Sequence, residues 1–454
     1  MAGKPKVTLI GAGSHSFSLT LTGDLLTYPE LEGMTLSLMD IDEERLASTA
    51  RIVKRVVEQN GFNAEVQVTT DRKEALRDAD YVITSIRSGG MEATRLDLEI
   101  PAKYGIEQGV GDTLGPGGVF YGLKNASALL EIARDAEELS RDAMLINYTN
   151  PMAIVSWAVL DGTKLRYVGL CHSVPGTARE LASYMGIAPE ELSYTAAGIN
   201  HMAWFIELVW RGEDAYPILR EKLSDPRVYT DPSHPAYNDL VRVEVFKAVG
   251  YYSAEDSNHL SEYLPYFRRD EETLKKYRVL DHADRLRVME QRAQNDERRR
   301  AELESGGKVE LRRSGEFATR IIYAMETGNP VKIYANVKNR GVIENLPYES
   351  VIEVPALVDG RGVHATYVGR LPPQLAALNA MDISAQELAV RAIEERSKER
   401  VFQALLVDPL TSSALTVPRI REMTDEMLRA EAPYLPELRR SSPRAKGKRE
   451  GGGI

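Results

Sequence analysis

The chain has 454 residues, 43% of them hydrophobic and 27% charged, with a formal net charge of -10. That length exceeds a single core and calls for two or three domains, while the acid excess speaks against nucleic acid as a partner. No run of about 18 apolar residues occurs, so no membrane-spanning helix is expected, and one cysteine cannot form an intrachain disulfide, which suits a reducing cytoplasm.

The first predicted element is the strand KVTLI, which runs straight into the turn GAGS and then into helical spacing. A basic start leading directly into an apolar run and a glycine turn reads as a strand and not as a signal peptide. Gly11 permits the tight turn, and Gly13, with Ser14 beside it, lets backbone approach a pyrophosphate at a helix N-terminus. The third glycine of the usual dinucleotide fingerprint is replaced by Ser16. Next, MTLSLMDID predicts a second strand ending at Asp40, an acidic residue that suits the ribose hydroxyls of NAD and repels the extra phosphate of NADP. The plainer reading of Asp40 is a helix N-cap. Further strands are predicted over residues 78–86, 143–151 and 165–173, separated by helical segments such as ASALLEIARDAEELS.

This alternation predicts an α/β class: an N-terminal Rossmann-like, doubly wound parallel sheet followed by a mixed α/β substrate and oligomerisation domain. In such a sheet the carboxyl ends of the strands share one edge, where ligands bind. Gly11, Gly13, Ser14, Asp40 and Asn147 are the candidate cofactor contacts on that edge. Arg87, Asn150, Cys171 and His172 also fall there. Cys171 is the only cysteine. Alone it reads as a small buried hydrophobe, but at a cofactor edge it is a candidate ligand. About 25 residues on, AAGINHMAWFIEL places His201 before an aromatic strand that crosses into the second domain. The spacing fits no structural zinc pattern, and two protein ligands leave positions open for a substrate. The expected divisions are 1–195, 196–438 and a basic, disordered tail, 439–454. Residues 281–313 predict a charged helix with a solvated face or a subunit contact, VKIYANVKNRGVIENLPYESVIEVPALV predicts strands and turns, and AQELAVRAIEERSKERVFQALLVDP predicts one amphipathic helix.

VTLIGAGS, LMDID, GVGDTLGPGG, NYTNPMA, GLCHSVPGT, AAGINHMAWF, NVKNRGVIENLPYESVIEVP and VGRLPPQLAALN together resemble the family-four glycoside hydrolases over nearly the whole chain. These are NAD- and divalent-metal-dependent glycosidases, set apart from enzymes that use two carboxylates. Cysteine followed by histidine is typical of members acting on non-phosphorylated sugars, and CHSV with INHMA looks most like the α-galactosidases. Two features depart from the pattern. Lys124 and Asn125 stand where many members carry an arginine, and Arg87 stands where α-galactosidases commonly have none. A cation at Arg87 would meet a carboxylate or phosphate on a sugar.

The resemblance implies hydrolysis without net redox change. NAD takes a hydride from C3 of the sugar, a base removes the C2 proton, the glycosidic oxygen leaves, water adds and the hydride returns. It implies that Cys171 and His201 hold the metal, manganese in this family, although thiolate and imidazole by softness suit zinc or ferrous iron. Inactivation in air and rescue by thiol plus metal would follow. Asn150 would bond sugar hydroxyls, its plainer reading being a helix cap. Asp112 is favoured as leaving-group acid over His172, which becomes a substrate contact; their plainer readings are turn chemistry and a hydrogen-bonded imidazole. A tyrosine base in some members points to Tyr251 or Tyr252, with Asp256 and His259 behind them, and Asn345 would lie near the site. The expected substrate is a small α-galactoside such as melibiose. α-Glucosides, or α-glucuronides and α-galacturonides with Arg87 as carboxylate partner, are the alternatives within the family. A net dehydrogenase of malate or lactate type and a silent NAD sensor are the alternatives outside it. A homodimer or homotetramer is implied.

Overall fold

The computed structural model describes residues 4–309, 311 and 313–439, so the tail beyond Arg439 lies outside the described residues. Six strands build the first half: β1 (Lys6–Ile10), β2 (Thr35–Met39), β3 (Glu65–Thr69), β4 (Tyr81–Thr84), β5 (Met144–Asn147) and β6 (Arg166–Gly169). All pair in parallel, in the order β3-β2-β1-β4-β5-β6. This is the doubly wound arrangement, with its switch point between β1 and β4. Helices cover both faces, which is why β4 and β5 are apolar and buried throughout instead of alternating. β3 is the strand that the sequence reading missed. As an edge strand, EVQVT is largely exposed and carries no apolar run.

The second half adds β7 (Leu192–Ile199), β8 (Met202–Trp210), β9 (Glu213–Asp214), β10 (Tyr252–Ser253), β11 (Val331–Lys338), β12 (Val351–Asp359) and β13 (Gly362–Ala365). Their mutual pairings are antiparallel, and the Asn336–Gly169 pair joins β11 to β6. One 13-stranded sheet therefore runs through the chain. The division expected after residue 195 falls inside β7.

Two helical expectations change. Residues 385–409 do not form a single helix: Pro373–Glu394 and Lys398–Val407 are separated at Arg396, whose φ of 50° is left-handed. Ser397 then caps the new helix by accepting the Arg400 N–H. The charged helix is shorter than expected, His282–Glu304, and its polar face is solvated over residues 290–299 while also making ion pairs. Arg300 pairs with Glu44 at 3.6 Å, Glu304 with Arg51 and Glu290 with Arg95, while Asp296 accepts the Ser16 hydroxyl at 3.0 Å. Only Leu286, Met289 and Leu303 are buried along it, so ionic contacts seat this helix across the glycine-turn side of the sheet. Among the described residues no helix is long and apolar enough to cross a membrane.

Candidate active site

At the end of β1, Gly11 has φ 95°, and a Cβ on it would lie 2.1 Å from the Ser85 carbonyl oxygen. On Gly13 a Cβ would meet Asp40 Oδ2 at 2.8 Å. Only glycine fits either place. The helix His15–Leu26 follows, with Ser14 as an N-cap that makes no side-chain cap bond. Its first-turn N–H groups lack that partner and form an anion cradle. Asp40 is not the N-cap of the next helix, Glu43–Asn60; Asp42 fills that role by accepting the Arg45 N–H. Asp40 instead accepts the Gly13 N–H at 2.7 Å and the Asp42 N–H at 2.9 Å, which locks the turn against the end of β2.

Asn147 is a correction. It is fully buried, its Oδ1 accepts the Thr84 hydroxyl and the Thr149 N–H, and its Nδ2 donates to the Thr149 carbonyl. With its amide so committed, it shapes the turn and reaches no ligand. Asn150 behaves oppositely: the helix Met152–Gly162 has Pro151 at its N-cap, and the Asn150 side chain has no hydrogen bond among the described residues. Asn125 supports both loops of this edge, donating to the Asn150 carbonyl and accepting the Ser88 N–H. Its neighbour Lys124 is no substrate cation. It is wholly buried between Asp97, at 2.6 Å, and Glu431. Arg87 is exposed beside the Tyr121 phenol and has no carboxylate partner among the described residues.

Cys171 follows β6, and His201 forms the β7–β8 hairpin turn. The sulfur and His201 Nε2 stand 3.3 Å apart, and Glu255 Oε2 lies 3.5 Å from the same nitrogen. The ligand atoms of all three residues lie within 4.8 Å of one another. His201 and Glu255 have φ values of 64° and 71°, in a region that non-glycine residues avoid. His201 takes that conformation in the tight β7–β8 turn, and Glu255 just after β10. Burial pulls the His201 imidazole down, keeping it in the neutral form a metal requires, and pushes the Cys171 thiol up, with Glu353 and Glu255 adding to the rise. The donor set of thiol, imidazole and carboxylate fits a divalent transition metal.

Sequence reasoning missed Glu255, Glu353 and Tyr263, and expected His259 only behind the tyrosines. His259 sits edge-on to His201 at 4.5 Å between Glu255 and Asp256; burial lowers its pKa, but the two carboxylates outweigh burial and hold it at about 10. Glu353, on β12, is fully buried, accepts from Asn200 Nδ2 at 3.3 Å, and is pushed by burial up to about 8. The Tyr263 ring lies 6.5 Å from that of His201. Tyr251 and Tyr252 are the second correction. Tyr252 is fully buried and donates its hydroxyl to Asp239 beneath Arg242, and Tyr251, half-buried, packs edge-on to Tyr216.

Asp112 keeps one oxygen, Oδ1, buried without a partner, while Arg285 donates to the other at 3.2 Å. His172 turns away from the sulfur beside it. Its Nε2 bonds to Glu316 at 2.8 Å and its ring stacks on Tyr148, so the hydrogen-bonded imidazole is the arrangement found. The Glu316 hydrogen bond raises its pKa against the pull of burial. It borders a cavity of about 760 Å³ that Arg179, Tyr194, Arg320 and Tyr334 also line. Asn345 is tied to Leu371 through both its amide groups.

Comparison with known proteins identifies the family. The family described as Family 4 glycosyl hydrolase matches residues 6–187, and its C-terminal domain matches residues 196–411. An alpha-galactosidase of Bacillus subtilis is 37% identical, covering 96% of this chain and 100% of that protein, and one of Rhizobium meliloti is 36% identical, covering 97% and 91%. A 6-phospho-beta glucosidase of Thermotoga maritima, crystallised with manganese, NAD+ and glucose-6-phosphate, superposes with a TM-score of 0.78 at 26% identity, covering 95% of this chain and 100% of the other. A malate dehydrogenase of Cryptosporidium parvum, at 14% identity and a TM-score of 0.52, shares the fold alone. The chain belongs to the family 4 glycosyl hydrolases.

Proposed function

We propose that this protein is an α-galactosidase that requires NAD and a divalent metal, manganese. The observation that carries the reading is the convergence of Cys171, His201 and Glu255 at the strand edge that also holds the glycine turn. When bound, the cofactor and ion supply reversible C3 oxidation and polarisation of the C3 oxygen, which acidify the C2 proton so that the glycosidic oxygen leaves and water adds.

The chain's own residues divide the remaining work. Gly11, Gly13 and Ser14 with the first helical N–H groups take the pyrophosphate, and Asp40 faces the ribose. Cys171, His201 and Glu255 hold the ion. Asn150, whose amide has no hydrogen bond among the described residues, bonds sugar hydroxyls, and His172, steadied by Glu316, contacts the substrate. Asp112 protonates the departing oxygen. Tyr263, in place of Tyr251 or Tyr252, receives the C2 proton. Burial, with Asp382, Asp112 and Glu255, drives its phenol well above its ordinary value, so a cation beside it is needed for this task. On the same reading the enzyme works in a reducing cytoplasm as a homodimer or homotetramer.

A panel of 4-nitrophenyl α-glycosides, offered without oxygen in deuterated water with NAD, manganese and thiol, tests the proposal. Free galactose carrying deuterium at C2, with no accumulation of NADH, is the expected result. Stoichiometric NADH without cleavage would make the protein a net dehydrogenase. Preference for a uronide would move the sugar assignment to one read by Arg87, which has no carboxylate partner among the described residues and so favours that second reading; an alpha-galacturonidase of Bacillus subtilis is 30% identical. Gly11→Ala, whose Cβ meets backbone at a left-handed φ, is expected to weaken NAD binding on the order of tenfold or more, read by titration calorimetry.

A further inference from the structure

The loop that carries Asp112 is glycine-rich and has little stiffness of its own. Two buried carboxylates hold it: Asp408 accepts the Gly115 N–H at 3.2 Å at its far end, and Glu262 holds the stretch next to Asp112. Glu262 is fully buried in the helix Ser257–Tyr263. Its Oε1 accepts the Val110 N–H at 2.8 Å, and its Oε2 accepts the Gly111 N–H at 3.0 Å and Gln108 Nε2 at 2.9 Å. Gln108 also donates to the Leu114 carbonyl and accepts the Gly117 N–H, so the chain is pinned on both sides of Asp112. The buried Arg268 guanidinium, 3.6 Å from Oε1, offsets the charge.

Burying a carboxylate is costly, and a neutral peg would be cheaper if support were all that was needed. Here both oxygens face N–H donors, which an amide side chain cannot satisfy at once. The same short helix carries His259 and Tyr263 and begins directly beyond Glu255 and Asp256. The loop and the metal side of the site thus hang from one element.

We propose that Glu262 is a positioning residue for catalysis: it fixes Asp112 relative to Tyr263 and Glu255, so that acid, base and ion ligand move as one body. The inference rests on the reading of Asp112 as leaving-group acid, and it acts through that residue alone.

A double-mutant cycle on α-galactosides of different leaving groups tests it. Glu262→Gln is expected to slow turnover of the methyl α-galactoside on the order of a hundredfold, because a displaced acid no longer reaches a poor leaving group. The 4-nitrophenyl galactoside, whose phenolate departs unaided, is expected to lose less than about threefold. In an Asp112→Asn background the Glu262 substitution is expected to add less than about threefold on either substrate. NAD and metal affinities, measured separately, are expected to stay at the wild-type level. Equal losses on both substrates, or losses that multiply in the double variant, would overturn the inference. Should Asp112→Asn itself show no dependence on leaving group, the acid assignment falls and takes the inference with it. A leaving-group effect in Asp112→Asn that Glu262→Gln lacks sinks the inference alone. If Glu262→Gln does not fold, Glu262→Asp, which keeps the charge but withdraws it by one methylene, carries the same cycle.

Discussion

Cys171→Ser is expected to lower metal-dependent turnover by more than about a hundredfold while leaving NAD binding intact. Loss of a partner that merely orients a ligand commonly costs 10- to 100-fold, so loss of the ligand itself should exceed that. A serine hydroxyl keeps the volume but not the soft, ionisable donor. The proposed NAD contacts at Gly11 to Ser14 and Asp40 follow other strands, β1 and β2, and are untouched. A pH series strengthens the test. Burial, with the charges of Glu353 and Glu255, pushes the Cys171 thiol up, so an arriving ion must displace its proton, whereas His201, pulled down by burial, has none to give. Wild-type metal affinity should therefore rise with pH, by about tenfold per unit while the thiol stays protonated, with one proton released per ion. Cys171→Ser should remove that proton release. Unchanged turnover in the variant would show that the sulfur is not a ligand.

Glu255→Gln is expected to weaken metal binding by about 10- to 100-fold, with a parallel fall in turnover at limiting metal. The amide preserves shape and length but removes the anion that joins a neutral imidazole and a thiolate around the ion. Raising the metal concentration should restore much of the rate, which separates a ligand from an acid or base. Manganese titration followed by electron paramagnetic resonance would measure the affinity directly. An affinity equal to wild type would leave the site with two protein ligands.

The dinucleotide half of the molecule was legible in the sequence because its signals are local. A glycine turn after an apolar strand and an acid at the end of the next strand depend on neighbours in the chain. Cys171 and His201 were legible because a lone cysteine at a strand end and a histidine before an aromatic strand stand out. Glu255 was not, since it reaches His201 only because β10 pairs with β8, matching Tyr252 with Phe205 and Ser253 with Trp204. No spacing encodes that pairing. The same register explains why the tyrosine expected beside the site lies elsewhere. Tyr252 lies in the short strand and faces the buried Asp239–Arg242 cluster, while Tyr263, a helix later, is carried back toward His201. Asn147 misled because position at a strand end says where a residue sits, not which way its amide is already bonded. Arg396 breaks a convincing helical pattern through a backbone conformation that periodicity does not register.

The Asn336–Gly169 pair that joins β11 to β6 makes one sheet of the two halves. Many two-part enzymes close like a clam around their substrates; here strand pairing ties the two parts together. On the proposed reading, the turn that faces the cofactor and the residues that hold the ion hang from this one sheet, so folding sets their spacing before either group arrives. A hydride lent to the cofactor must return to the carbon it left, and such a frame suits that loan.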